Sequence, residues 1–267
     1  MKSRILCLSA LLLAGVACWT ASAQPWAKAK LEKSPRHGEW VDVKNGTRTV
    51  HCFIVYPEVK EAASAVIVIH EIFGLTDWAR DAADQLAAAG YIAIAPDLLS
   101  GQGTNGAGTS GLGSQEIGRA IRDLPPDQIT GDLNSVADYL KTLPSANGKL
   151  AVAGFCWGGG QTFRFACHRP DLKAACVFYG PPPEAADIAK INCPVYGFYA
   201  GNDNRISSTI PKTEELMKAA GKTYEPVTYE GAGHGFMRAG EDPDGQEANK
   251  KAHDQGWERL KSVLGKL

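Results

Sequence analysis

The sequence predicts an α/β fold in which a mainly parallel central sheet carries helices on both faces. Three observations support this. Short continuous apolar runs at 65–69, 91–95, 150–153, 174–179 and 195–200 suit strands buried on both sides. Segments with helical character separate most of them, and strands alternating with helices imply parallel pairing. The composition, with 44% hydrophobic and 21% charged residues and a net charge of -1 over 267 residues, is too apolar and too nearly neutral for a disordered chain. It also lacks the basic runs that neutralise phosphates, which argues against a nucleic-acid binder.

The chain opens Met1-Lys2-Ser3-Arg4, continues through an apolar run at 5–16, and reaches Ala21-Ser22-Ala23 before Gln24-Pro25. A basic start, a short greasy core and an A-x-A end predict a signal peptide over 1–23, and hence a periplasmic or secreted protein with one domain over 24–267. The apolar run is shorter than the ~20 residues that span a bilayer, so no membrane span is expected after cleavage. Cleavage removes Lys2, Arg4, Cys7 and Cys18, leaving Cys52, Cys156, Cys167, Cys176 and Cys193. An odd number in an oxidising compartment leaves at least one thiol unpaired within a chain.

Residues 24–38 are polar and aperiodic and read as an extended lead-in. Asn45-Gly46 between β-rich stretches at 40–43 and 47–56 predicts a hairpin. A buried strand follows at 65–69, then an alanine-rich helix at 76–89 stopped by Gly90, and a strand at 91–95 ended by Pro96. Residues 100–114 are glycine-rich and read as a mobile loop over a strand end, a lid or a floppy insertion. Their G-x-G-x-x-G matches arise by chance, since no apolar helix opens on the third glycine. Then come a helix at 128–142, a strand at 149–155, a helix at 158–168 and strands at 174–179 and 194–200. A helix at 211–220, a strand at 224–229 and a closing helix at 247–264 with Trp257, Leu260 and Leu264 on one side complete the chain.

Ligands of such sheets bind at the carboxyl ends of the strands. Gly154-Phe155-Cys156-Trp157-Gly158 stands there, between strand and helix, as a G-x-C-x-G nucleophile elbow. The turn is so tight that side chains at the flanking glycines would clash, and the helix N-terminus is expected to pull the thiol below its usual ~8.5. Asp203 follows the strand at 194–200, and His234 follows the strand at 224–229. Nucleophile, acid and histidine thus run in the chain order of α/β-hydrolases. His234 would move the thiol proton while Asp203 fixes its tautomer. Glu71 follows the strand at 65–69, and the backbone N–H groups of Ile72 and Trp157 are the expected oxyanion-hole pair. His70-Glu71 is not a zinc H-E-x-x-H site, because Gly74 stands where the second histidine is required.

His70-Glu71-Ile72-Phe73-Gly74, Pro96-Asp97-Leu98, the Cys156 elbow, Gly201-Asn202-Asp203 and Gly231-Ala232-Gly233-His234-Gly235-Phe236 together resemble the dienelactone hydrolase family, from about residue 40 onward. The resemblance implies an α/β-hydrolase fold and an enzyme that opens esters or lactones through a cysteine acyl-enzyme, without a cofactor; the histidines, for their part, stand in no metal-ligand spacing. It assigns Glu71 to drawing off the thiol proton when substrate arrives. The family holds its substrate carboxylate between two arginines. Arg238 matches one; where the other normally lies this chain has Leu99-Ser100-Gly101, leaving Arg119 or Arg122 as candidates. The expected partner is a small ester or lactone with a negative group. Alternatives from other classes are a non-catalytic binding protein on the same scaffold and a thiol redox protein. Cys52, Cys167, Cys176 and Cys193 form an even set that either pairs or is simply buried.

Overall fold

The computed structural model describes residues 24–267; the export segment expected at 1–23 lies outside the described residues. The chain opens on helix α1 (Pro25–Lys33), where an extended lead-in was expected. Pro25 suits the first turn, where a missing N–H costs nothing, but Ala27 is the only residue of α1 that is buried. The helix therefore carries almost no apolar period to read. Its position comes from tertiary contacts: Gln24 Oε1 accepts the Trp78 N–H at 3.0 Å, and Lys30 Nζ donates to Glu241 at 2.8 Å.

Strands β1 (Gly38–Asn45) and β2 (Arg48–Val55) pair antiparallel around the Asn45-Gly46 turn, as expected. β3 (Ala63–Ile69) leads to α2 (Asp77–Ala88), whose Thr76 side chain caps the Ala79 N–H. β4 (Ile92–Pro96) ends at the glycine-rich segment. That segment is folded into two 3-10 turns, Thr104–Gly106 and Gly108–Gly111, and is tied down. The Asp97 carboxylate accepts the Thr109 N–H and hydroxyl, each at 2.8 Å, and the same hydroxyl accepts the Leu75 N–H at 3.0 Å. These bonds give the segment, read from the sequence as a loop, a defined fold, and they join residues too far apart in sequence to be read as partners.

A short helix α3 (Ser114–Arg122), unexpected from the sequence, buries Ile117 and Ile121. α4 (Pro126–Thr142), β5 (Ala146–Phe155), α5 (Trp157–Ala166), β6 (Ala174–Phe178) and β7 (Val195–Ala200) follow the predicted rhythm. After β7 come α6 (Asn204–Ser207), α7 (Ile210–Ala219), β8 (Tyr224–Tyr229), α8 (Phe236–Glu241) and the closing α9 (Glu247–Leu264). The eight strands form one sheet in the order β1-β2-β4-β3-β5-β6-β7-β8. β2 meets both neighbours antiparallel, and all pairs from β4 to β8 are parallel.

The side chains of β3 alternate between two cores. Ile67 and Ile69 pack with Leu133 and Val136 of α4 and Phe163 of α5. Val66 and Val68 pack with Trp78 of α2 and Leu260 of α9. Strands covered on both faces have no polar side to display, which is why they read as unbroken apolar runs. Among the described residues no helix is long and apolar enough to cross a membrane.

Candidate active site

Cys156 lies between β5 and α5 with φ +59° and ψ -117°, a conformation that costs an L-residue about 1–3 kcal/mol. The flanking glycines make the turn possible. A Cβ on Gly154 would come within 2.2 Å of the Gly158 carbonyl oxygen, and one on Gly158 within 2.4 Å of the Ile69 and His70 carbonyl oxygens. The Cys156 N–H donates to the Phe178 oxygen at 3.0 Å, which ties the elbow to the end of β6.

Burial pushes the Cys156 thiol up to about 11, and the negative charge of Glu71 adds to the rise; the N–H groups of Trp157 and Ile72 and the Arg205 cation pull the other way. The expected depression by the helix N-terminus is therefore corrected: desolvation and a carboxylate outweigh the N–H groups. The same two N–H groups named as an oxyanion pair are those that act on the sulfur.

Asp203 is buried at the start of α6, and its Oδ2 receives the Nδ1–H of His234 at 2.5 Å. A proton held at Nδ1 leaves Nε2 free to act as a base. His234 is partly open to solvent, with its ring packed edge-on against Tyr179 at 5.0 Å between centroids. Tyr179 was not singled out from the sequence. It is fully buried at the end of β6 with φ +40° and an unpartnered hydroxyl. Tyr179-Gly180-Pro181 directly after an apolar run was the available signal.

Glu71 is 3% exposed, not a solvated loop residue, and its Oε2 accepts from Arg238 Nε at 2.7 Å. Burial lowers the basicity of Arg238, but the charge and hydrogen bond of Glu71 outweigh it and hold the guanidinium above its ordinary value. Gly235, at φ +79°, lies against this pair: a Cβ there would be 3.5 Å from Arg238 Nη2 and 3.7 Å from Glu71 Oε1. A side chain at the residue after His234 would thus meet both Glu71 and Arg238. His70 is fully buried and bonded through Nδ1 to the Glu71 carbonyl oxygen at 2.8 Å, a bond that shapes the turn.

A cavity of about 890 Å³ opens beside the pair, with Phe73 and Arg238 among its lining residues. Arg119 and Arg122 are exposed on α3 and line no part of it, so neither takes the place of the missing second arginine; Arg80 of α2 does line it. The sequence could not reveal this, because Arg80 belongs to the helix after β3 and reaches the cavity only through the fold.

Comparison with known proteins agrees with the geometry. Residues 50–267 match the model of the dienelactone hydrolase family. The chain is 35% identical over 210 residues to the Salmonella typhi protein named "Putative carboxymethylenebutenolidase", covering 74% of this chain and 76% of that one. An Escherichia coli protein of the same name is 34% identical over 206 residues, covering 73% and 74%. The crystal structure of a "Putative Dienelactone Hydrolase" from Klebsiella pneumoniae superposes with a TM-score of 0.76 at 27% identity, over 87% of this chain and 99% of that one. With its mostly parallel sheet, its elbow and its acid–histidine pair at the strand ends, this chain is a hydrolase of the dienelactone hydrolase family.

Proposed function

We propose that the enzyme hydrolyses a small ester or lactone bearing a negative group, with Cys156 as the nucleophile. The observation that carries this reading is the Glu71–Arg238 pair at 2.7 Å beside a neutral thiol. A substrate carboxylate binding to the terminal nitrogens of Arg238 draws the guanidinium away from Glu71. Once released, Glu71 accepts the proton from sulfur and passes it to His234 Nε2, and the thiolate forms only when substrate is present.

The thiolate attacks the carbonyl carbon and a C–S bond forms. The oxygen that becomes negative is held by the N–H groups of Ile72 and Trp157. Collapse breaks the ester C–O bond, and the departing oxygen takes the proton held by His234. Water then gives a proton to His234 Nε2 and attacks the acyl carbon; sulfur leaves, recovers that proton, and the acid is released. Asp203 keeps Nδ1 protonated throughout, so that Nε2 faces the reaction.

Cys156→Ala is expected to abolish turnover of an activated ester, and undiminished activity would overturn the assignment. A screen of lactones and short esters tests the anchor: activity confined to neutral esters counts against Arg238. We also propose export. N-terminal sequencing of protein recovered outside the cytoplasm is expected to begin at Gln24, and an intact Met1 start there would refute cleavage.

A further inference from the structure

The cavity that Arg238 lines takes further walls from elements outside the catalytic loops. It is lined by Trp26 of α1, Trp40 of β1 and Arg80 of α2. The family match begins at residue 50, so both tryptophans come from chain that precedes it. Trp26 is a built wall, since α1 is fixed by the Gln24–Trp78 hydrogen bond, the Lys30–Glu241 pair and the burial of Ala27. Trp40 is 55% exposed, an unusual position for so large an apolar side chain, and the Arg80 guanidinium lies 5.7 Å from its ring.

Three carboxylates and two guanidinium groups line the cavity. Asp77 is bound to Arg80, the Asp97 oxygens are taken by Leu99 and Thr109, and Asp242 Oδ1 accepts the Asp244 N–H, which leaves Arg238 as the cation an anion would meet. Arg238 bonds Glu71 through Nε, which leaves its terminal nitrogens as donors, and it lies 5.1 Å from the Phe73 ring. Flat indole and phenyl faces interleaved with guanidinium groups select a flat π-system over an alkyl chain. At about 890 Å³ the space suits a ligand well beyond a short acyl ester.

We propose that this cavity is the subsite for an aromatic arm of the substrate, so that the enzyme acts on aryl-bearing carboxylate esters or lactones, with the carboxylate on Arg238 and the ring against Trp26 and Trp40. This rests on the hydrolase reading above and names its substrate class. Trp26 and Trp40 are then specificity residues supplied by the segment ahead of the family's body.

Calorimetry on the Cys156→Ala protein tests the subsite without turnover, so its failure is separate from failure of the nucleophile assignment. 2-Naphthoate is expected to bind about tenfold more tightly than either butyrate or neutral 2-naphthalenemethanol. Trp26→Ala and Trp40→Ala, each confirmed folded by circular dichroism, are expected to weaken naphthoate about fivefold, with Trp26→Phe restoring much of the loss. In the active enzyme, the kcat/KM ratio of a naphthoyl-bearing to a short-chain ester is expected to fall about tenfold in Trp26→Ala, through KM. Equal affinity for naphthoate and butyrate, or unchanged naphthoate binding in both tryptophan variants, would overturn the proposal.

Discussion

Cys156 keeps its proton in the resting enzyme because the sulfur is buried and faces the Glu71 carboxylate. A thiol pushed up to about 11 is neutral at pH 7 and becomes a thiolate only as the pH rises through that value. Alkylation of the resting protein by iodoacetamide is therefore expected to be slow at pH 7 and to climb about tenfold per pH unit on the way up. Glu71→Gln removes the negative charge that helps raise the thiol, so the midpoint of the alkylation profile should drop below 11. Turnover should nevertheless fall about 100-fold or more, because the group that draws off the proton is gone. A midpoint that stays in place would mean that Glu71 does not face the sulfur electrostatically. The elbow, Asp203, His234 and Glu71 were legible because each lies shortly after a strand that the sequence predicts. The protonation of Cys156 was not, since it depends on a desolvation that only the assembled site creates, and Tyr179 and Arg80 carried no motif of their own.

At the scale of elements, the elbow depends on backbone passing very close to backbone. Gly158→Ala would drive a Cβ against the carbonyl oxygens of Ile69 and His70, which cannot yield without moving β3. A loss of about 3 kcal/mol in denaturant unfolding, together with lost turnover, is expected. Gly148→Ala meets open space at φ +80° and should cost only about 1–2 kcal/mol, with turnover retained. Helix α1 escaped sequence reading because it is held by charge: it buries one residue and is fixed by a polar cluster. In that cluster Lys30 and Gln85 donate to Glu241, and His253 lies 3.3 Å from it. Burial pushes Asp81 up to about 7, and the adjacent Glu241 adds to the rise; burial works against Glu241, but hydrogen bonds from His253 and Lys30 hold it down at about 2. Folded Asp81 thus keeps a proton that the unfolded chain loses above about pH 4, so its contribution is complete below that and is lost as the pH rises to 7. Glu241 acts oppositely, with stability lost as the pH falls from about 4 to 2. Asp81→Asn mimics the protonated form, and a Tm about 3 °C above wild type at pH 8, shrinking to no gain at pH 4, is expected. An equal shift at both pH values would show that the proton is not the cause.

For the molecule as a whole, the alternation of strands and helices was legible because β3 to β7 are covered on both faces; the sheet order was not, since pairing across the sheet leaves no local trace. That order bears on the cysteines. Among the described residues all five are free. Cys52 in β2 is four strand positions from Cys176 in β6, and strands lie about 4.8 Å apart, whereas a disulfide needs Cα atoms within about 7 Å. Cys176 belongs to the core packed on α2 and α9, while Cys167 and Cys193 belong to the opposite one. Cys176 thus shares a core with neither. Burial pushes Cys167 up to about 11 and Cys176 and Cys193 up to about 12, and drives Cys52 higher still. A thiol reagent at pH 8 is thus expected to reach Cys156 first in native protein and the other four only at the rate of global unfolding. Unreduced protein covering residues 24–267 should titrate five thiols once denatured. Three would show that one disulfide has formed among Cys52, Cys167 and Cys193, the three that share a core.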